Sequence, residues 1–352
     1  MKSLQNASTP NKGILLINVG TPSRPSLFSV AAYLSEFLTD RYVIQLPSFL
    51  RYLLVYGLII PRRAFVARRA YSAIWTKEGS PQRRLMEELT EALQRVEGEN
   101  TYMVYGMRYG KPSITFALEQ LKNKGCRTIT VIPLYPQYAE ATTKSSLEVV
   151  KAWAAQQTII RDVKVVTSFY QHPAYIEALA DSIRTRLDLN RVDHLLMSYH
   201  GLPYQQIQRV ERFILPACKK GEPCPSIGPK NQQCYRAHCY ATSHALAQAL
   251  RLSPERYGVS FQSRVGTQQW IQPYTTEVLQ QLAKRGVKNL AVICPAFVID
   301  CLETLEEIGI RAKEQWKQLG GNEFHLLSCL NNNEKWVLAL QEIARHAAVP
   351  LL

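Results

Sequence analysis

The sequence predicts an α/β protein made of two similar domains, each a parallel sheet flanked by helices. Five short apolar runs have the length and the branched side chains of buried parallel strands, at residues 14–19, 102–105, 128–132, 195–199 and 290–293. Segments with helical periodicity separate them, and this alternation is typical of doubly wound sheets. Motifs that recur in the same order in both halves indicate a duplicated domain.

Further segments complete the pattern of alternating strands and helices. Two weaker runs are candidate strands, at residues 163–167 and 259–262. A period near 3.6 predicts helices at residues 82–95, 113–122, 175–187, 276–284 and 302–318. Each half therefore contains both strands and the helices that would cover its sheet.

The repeat between the halves has three parts. Residues 16–22 (LINVGTP) resemble residues 197–203 (MSYHGLP). The MRYG and SRVG motifs match in the same way, as do the segments that follow Gly125 and Gly286. The first half is longer between its first and second motifs, so we expect an insertion there.

We expect three parts along the chain. The first domain spans residues 1–170 and carries the insertion, at about residues 41–77. The second domain spans residues 171–330 and contains a cysteine-rich loop at 216–240. Residues 331–352 would form a C-terminal helix that packs back on the first domain.

Composition limits the classes of partner. The chain has 352 residues, of which 46% are hydrophobic and 20% charged, as in a folded globular protein. A net charge of +14 favours an acidic partner, namely a nucleic acid, an anionic membrane or a carboxylate-bearing substrate. The sequence has no basic low-complexity tail and no interleaving of aromatic and basic residues, so we expect no nucleic acid.

The N-terminus and the cysteines bear on localisation. The first twelve residues are polar and lack an apolar segment before a cleavage site, so we see no secretory signal. Eight cysteines without such a signal favour thiols in a reducing cytoplasm over disulfides. We therefore expect a cytoplasmic protein.

The insertion combines apolar and basic residues. Residues 41–77 contain no Asp or Glu, but six Arg and one Lys. Residues 42–60 are strongly apolar, yet Pro47, Arg51 and Pro61 interrupt any run long enough to span a bilayer. We call residues 42–69 the lip. It is either a segment that lies on an anionic membrane surface or a core helix with a solvated basic end.

His200 is the leading candidate for chemistry. The apolar run before it predicts a strand, and the motif SYHGLP at 198–203 predicts a turn directly after it. In open α/β sheets ligands bind at the carboxyl ends of strands. Histidine is both a base near neutral pH and a ligand for divalent metals. The alternative is that this histidine merely hydrogen-bonds a neighbouring loop.

Three acids follow the strand at 290–293. Asp300, Glu303 and Glu307 are spaced by three and four residues, which would place them on one face of a helix. Acids in a first helical turn are also favoured by the helix dipole alone. Opposite a strand-end histidine, such a stripe would make a cation path and a proton relay.

Six ordered motifs together resemble those of the ferrochelatase family. They cover the chain from about Gly13 to its C-terminal region, and each alone would be a weak signal. They are ILLINVGTP (14–22), MRYGKPS (107–113), PLYPQY (133–138), SYHGLP (198–203), FQSRVG (261–266) with Trp270, and CPAFVIDCLETLEEI (294–308).

The resemblance implies fold and activity. In that family two Rossmann-like, chelatase-type domains enclose a cleft in which ferrous iron is inserted into a porphyrin to make haem. By motif, His200 would accept pyrrole protons or contact the iron, and Glu303 would be its acidic partner. Asp300 and Glu307 would be outer members of the acidic path.

The resemblance also implies a porphyrin pocket. Arg108 would orient a propionate, while Tyr109, Trp270, Phe297 and the lip would line or cover the macrocycle. Protoporphyrin IX is the expected substrate and ferrous iron the metal. The alternatives are coproporphyrin III as the substrate, or a tetrapyrrole-binding protein without catalysis.

The cysteine-rich loop departs from the usual family pattern, in which this connection is short. Cys218, Cys224, Cys234 and Cys239 have the spacing C-x5-C-x9-C-x4-C, and His238 is adjacent. No C-x2-C pair is present, which disfavours a zinc ribbon. Because some ferrochelatases carry a [2Fe–2S] cluster on four cysteines, we expect a cluster here, with zinc or unligated thiols as alternatives.

Overall fold

The computed structural model describes residues 12–160, 162–210, 224, 226–266 and 268–351. The first sheet consists of β1 (Lys12–Asn18), β2 (Thr101–Met107), β3 (Thr128–Pro133), β4 (Asp162–Val165) and β9 (Val349–Pro350). Its strand order is β2-β1-β3-β4-β9, and all pairs are parallel except β4 with β9. The expected parallel sheet of the first half is confirmed.

The second sheet repeats this order. Its strands are β5 (His194–His200), β6 (Tyr257–Gln262), β7 (Asn289–Ile293) and β8 (Glu323–Leu326). They lie in the order β6-β5-β7-β8, and every pair is parallel. Strand β5 therefore occupies the place that β1 has in the first sheet, as the repeated motifs predict.

Helices cover both sheets. Those of the first part are α1 (Leu27–Leu38), α2 (Ser48–Leu54), α3 (Ile60–Ile74), α4 (Pro81–Glu97), α5 (Ile114–Asn123) and α6 (Ser145–Ala154). The others are α7 (Pro173–Arg186), α8 (Tyr204–Val210), α9 (Tyr235–Ala249), α10 (Thr275–Lys284), α11 (Lys313–Gln318) and α12 (Glu334–His346). Three π-helical segments adjoin them, at Val55–Ile59, Glu140–Lys144 and Glu303–Ala312.

The two sheets share a core. The largest cluster of buried apolar side chains includes Leu16 of β1 and Met197 of β5, together with Trp336 of α12. Helix α12 packs against α4 and α7. The end of the chain thus returns to the first sheet, where β9 pairs with β4.

Glycines permit the turns after β1 and β5. Gly20 has a φ of +112°, and a Cβ there would lie 1.8 Å from the Tyr109 carbonyl oxygen. A Cβ on Gly201 would lie 2.8 Å from the carbonyl oxygen of Gln262. In both sheets the central strand therefore turns against the backbone at the end of its neighbour.

Two sequence expectations differ from the structure. Helix α9 begins at Tyr235, inside the loop expected at residues 216–240, because Cys234 caps it by accepting a hydrogen bond from the Ala237 N–H. Cys239 therefore lies in a helix and not in a loop. The predicted helix at 302–318 is present, but its first part is π-helical and Asp300 lies before its start.

Candidate active site

His200 stands at the carboxyl end of β5, in the turn made possible by Gly201. Its Nδ1 lies 2.6 Å from the Gly201 carbonyl oxygen. A carbonyl only accepts, so we assign the proton to Nδ1, which leaves the Nε2 lone pair available. The His200 carbonyl accepts a hydrogen bond of 2.8 Å from the Tyr235 hydroxyl, which ties the strand end to α9.

Two aromatic rings lie near the imidazole. The ring centroids of Trp270 and Phe297 lie 6.4 and 6.3 Å from that of His200. The Trp270 indole N–H donates to the Val265 carbonyl at 2.9 Å, which fixes the plane of the ring. Three predicted site residues from three separate segments therefore meet at one place.

Glu303 begins the π-helix and faces the first half of the chain. Burial raises the pKa of Tyr33 and of Tyr71, and the Glu303 charge raises both further. The pKa of the Cys301 thiol is also raised by burial and by Glu303, with which it forms a hydrogen bond. This carboxylate is partly exposed and surrounded by groups that hold their protons.

The other two acids are held by structural hydrogen bonds. The buried Asp300 carboxylate accepts bonds from Thr304 Oγ1 at 2.9 Å and Asn331 Nδ2 at 2.8 Å. The Glu307 carboxylate accepts from the backbone N–H and the hydroxyl of Ser263, at 2.8 and 2.6 Å. The prediction of one helical face for all three acids is wrong for Asp300, which lies in the preceding turn.

Arg108 and Tyr109 both bind Asp40, a residue that the motifs did not indicate. The Arg108 guanidinium pairs with the Asp40 carboxylate and also donates to Ser145 Oγ at 2.7 Å. The Tyr109 hydroxyl donates to the same carboxylate at 2.9 Å. Tyr109 is almost fully buried, and burial, followed by the Asp40 charge, raises its pKa. Asp40 thus neutralises the arginine and orients the tyrosine.

In the cysteine-rich loop, Cys224 and Cys234 lie close enough to Cys239 to affect its thiol. Burial raises the pKa of the Cys239 thiol, and the charges of Cys234 and Cys224 raise it further. Cys218 lies outside the described residues. Within the described ranges, no group of three or more His, Cys, Asp or Glu side chains is arranged to hold a metal ion.

His238 has a structural role in this segment. Its Nδ1 accepts from the Tyr138 N–H at 3.2 Å, and its Nε2 lies 2.7 Å from the Gln232 carbonyl. Its ring stacks on Tyr170 with centroids 3.8 Å apart. Burial lowers its pKa to about 4, so the imidazole is neutral and both nitrogens are engaged.

The lip is not a core helix. Its apolar side chains are mostly exposed, with Phe49 at 77% and Leu53 at 61%. Arg62, Arg63, Arg68 and Arg69 are exposed as well. One buried residue, Arg51, donates to the Leu46 carbonyl at 2.9 Å and so braces the start of the lip. In the described part of the chain no helix is both long and apolar enough to cross a membrane.

Comparisons with known proteins identify the family. The sequence model of the ferrochelatase family matches residues 11–348. A ferrochelatase of Legionella pneumophila strain Lens is 46% identical over 332 residues, or 94% of this chain and 98% of that protein. One of Coxiella burnetii strain Dugway 5J108-111 is 42% identical over 333 residues, or 95% and 93% of the two chains. The chain belongs to the ferrochelatase family.

Membership in this family makes the protein a metal chelatase that inserts iron into a porphyrin in haem synthesis.

Solved structures of chelatases have the same fold. SirB from Bacillus subtilis with Fe3+ aligns with a TM-score of 0.54 at 11% identity, over 96% of both chains. The sirohydrochlorin chelatase SirB from Bacillus subtilis subspecies spizizenii in complex with cobalt gives 0.53 at 10% identity, over 96% of this chain and 95% of that one. At such identities the likeness concerns the fold alone.

The structure adds residues that sequence reasoning missed. Tyr33 and Tyr71 approach Glu303 from α1 and α3. Gln262 lies beside His200 in the register of β5 and β6 and reaches the Glu303 backbone. The sequence held weak signals for two of these residues. Tyr71 lies in the stretch 41–77 that has no Asp or Glu, and Gln262 lies within the FQSRVG motif.

Proposed function

We propose that this protein inserts ferrous iron into protoporphyrin IX, with His200 as the proton acceptor and Glu303 as its acidic partner. The observation that carries the proposal is the convergence of His200, Trp270 and Phe297 at the end of β5. The Glu303 backbone lies one hydrogen bond from Gln262, the residue that pairs with His200. We propose that the cleft lies between a first domain at 1–170 and a second at 171–330.

Iron insertion requires two protons to leave the macrocycle. The free-base porphyrin loses both pyrrole N–H protons as four nitrogens replace the water ligands of Fe2+. Because Nδ1 of His200 bonds the Gly201 carbonyl, Nε2 is free to accept one of these protons. Trp270 and Phe297 beside the ring offer flat surfaces to a macrocycle.

Asp300, Glu303 and Glu307 would act on the ferrous ion. Among them Glu303 is the partly exposed one whose carboxylate forms no ion pair with any described residue. A carboxylate next to neutral phenols can approach a divalent cation or take the second proton. Asp300 and Glu307 are engaged in hydrogen bonds, so we propose that they hold the backbone and set the local negative charge.

The porphyrin pocket is proposed to include Arg108, Tyr109, Trp270, Phe297 and the lip. The Arg108 charge is balanced by Asp40, so this residue would offer a propionate hydrogen bonds more than net attraction. The exposed apolar side chains of the lip favour protoporphyrin IX, which has two carboxylates, over coproporphyrin III, which has four.

The test is anaerobic incubation of the purified protein with each porphyrin and ferrous iron, followed by the absorbance change from free base to metallated product. We expect turnover with protoporphyrin IX and a kcat/KM about tenfold or more higher than with coproporphyrin III. The reverse preference would assign coproporphyrin III. Failure with both porphyrins would overturn the proposed function.

We also propose that the lip binds an anionic membrane surface. Its exposed apolar residues are accompanied by four exposed arginines, a combination typical of interfacial segments. A peripheral contact of this kind would bring the cleft to an apolar porphyrin dissolved in lipid. The arginines would add attraction to anionic headgroups at low salt.

Co-sedimentation with vesicles tests the membrane contact. We expect binding to vesicles that contain phosphatidylglycerol, and weaker binding to phosphatidylcholine alone. The double change Phe49→Ser and Leu53→Ser should weaken binding by about tenfold or more, since two exposed apolar side chains would no longer be buried in lipid. Phe116→Ser is the matched control, because Phe116 is 56% exposed on α5, outside the lip. Equal binding by the double variant and the control would refute the contact.

We propose further that the cysteine-rich segment binds a [2Fe–2S] cluster. Support comes from the type and proximity of the thiols, because Cys224 and Cys234 raise the pKa of the buried Cys239. Thiolates that repel one another become stable when a cation neutralises them. The described side chains do not by themselves form a metal site, so the proposal rests on thiol chemistry and not on a preformed geometry.

Direct chemical analysis tests the cluster. Anaerobically purified protein should contain about two iron and two acid-labile sulfide ions per chain and should absorb in the visible range. Cys224→Ser should remove both. Cys126→Ser is the control, because Cys126 is buried beside β1 in the first half. Bound zinc without sulfide would assign a zinc site, and neither metal nor sulfide would leave unligated thiols.

A further inference from the structure

Gln262 connects the two residues of the proposed catalytic pair. It is the last residue of β6, is 3% exposed, and pairs in register with His200. Its carbonyl oxygen accepts the Gly201 N–H at 2.8 Å, directly after the histidine. Its side-chain Nε2 donates to the Glu303 carbonyl at 2.9 Å. One buried residue thus bonds the strand end that carries His200 and the helix start that carries Glu303.

The orientation of this amide is set by its neighbours. The Gln262 Oε1 accepts the Ser198 hydroxyl at 2.6 Å, and the Cys294 thiol lies 3.7 Å away as a weaker donor. The Ser198 hydroxyl also lies 3.0 Å from the Thr275 hydroxyl. Because the Glu303 carbonyl can only accept, Nε2 must face it. All polar atoms of the side chain are therefore used, and the amide has one satisfied orientation.

This bond acts where the position of a carboxylate matters. Glu303 is the first residue of the π-helix, so its carbonyl lies at the end of that helix nearest β6. The hydrogen bond from Gln262 on β6 therefore fixes the distance between the start of the π-helix and the ends of the strands. A displacement of about 1 Å at a reacting group can cost about 10²-fold in rate.

We propose that Gln262 is a positioning residue for iron insertion, which holds Glu303 at a fixed place relative to His200. The inference rests on the proposed roles of that pair and assigns a further residue to the same reaction. Gln262 would not touch iron or porphyrin. Its removal should therefore lower kcat and leave porphyrin binding unchanged.

The test compares Gln262→Ala and Gln262→Glu with the wild type in the anaerobic assay. We expect Gln262→Ala to lower kcat by about 10- to 100-fold with KM for porphyrin changed less than about twofold. In Gln262→Glu a protonated carboxyl can donate to the Glu303 carbonyl, whereas an ionised one cannot. The ratio of its kcat to the wild-type kcat should therefore be near one at low pH and fall as pH rises.

Gln94 provides the matched control. It also bridges backbone groups, donating to the Gly98 and Thr101 carbonyls and accepting from the Met103 N–H, at the opposite end of β2 from the site. Gln94→Ala should lower the melting temperature but keep kcat. A Gln262→Ala enzyme with unchanged kcat, or a Gln262→Glu ratio independent of pH, would overturn the positioning role. Inactive wild type would instead refute the proposed function itself.

Discussion

Alanine in place of His200 is expected to lower kcat for iron insertion by about 10²- to 10⁴-fold, the usual contribution of a positioned general base. The imidazole is partly exposed. Among the described residues, its ring nitrogens contact the carbonyl of the adjacent Gly201. Its loss therefore leaves few groups unsatisfied, and the melting temperature should change little. The measurement is the anaerobic assay, with porphyrin binding followed by fluorescence.

Added imidazole distinguishes a lost base from a damaged pocket. The substitution removes a ring that lies near Trp270 and Phe297, so free imidazole can enter that space and should restore part of kcat. His325→Ala is the control, because His325 is a partly exposed histidine paired with Glu323 on β8. Full activity of His200→Ala would assign the histidine to structure alone.

The fold was largely predictable where strands are buried on both faces. The runs that became β1 and β5 are continuous and apolar, and their observed ends differ from the predicted ones by no more than two residues. The strands β8 and β9 were missed. The first is a half-exposed edge strand of four residues and the second has only two, so neither carries a long apolar run.

Helix α9 shows why one boundary failed. Its first turns contain Cys234, Arg236 and His238, which give no apolar period, and the residue that caps it is a cysteine instead of Ser, Thr, Asp or Asn. The helix is stabilised by tertiary contacts, such as the stack of His238 on Tyr170. Periodicity within the segment cannot reveal such contacts.

Site residues that lie in or beside a sequence motif could be predicted. Site residues that are brought into place only by packing could not. His200, Glu303, Trp270 and Phe297 each lie within or beside a recognised motif. Asp40 is separated from Arg108 by 68 residues, and Tyr71, whose pKa the Glu303 charge raises, lies on α3 in the other half of the chain. Contacts of that kind depend on how segments far apart in the chain pack together, which no local pattern encodes.

Glu303→Gln is expected to lower kcat/KM for ferrous iron by about 10²-fold or more without loss of stability. The change keeps the size of the side chain but removes a charge that raises the pKa of Tyr33, Tyr71 and Cys301. Among the described residues no cation pairs with this carboxylate. The side chain is partly exposed and the substitution keeps its size, so the melting temperature should change little.

Asp300→Asn is the contrasting variant. Asp300 accepts bonds from Thr304 and Asn331, so the change should cost about 1–3 kcal/mol of unfolding free energy, as expected when a buried acceptor loses its charge and a partner. Glu314→Gln, at an exposed position of α11, should change neither property. Replacing an acid that acts in the reaction lowers activity and leaves stability unchanged. Replacing an acid that holds the fold lowers stability first. If Glu303→Gln instead unfolds the protein while its folded fraction retains full activity, the carboxylate belongs with Asp300 in the scaffold.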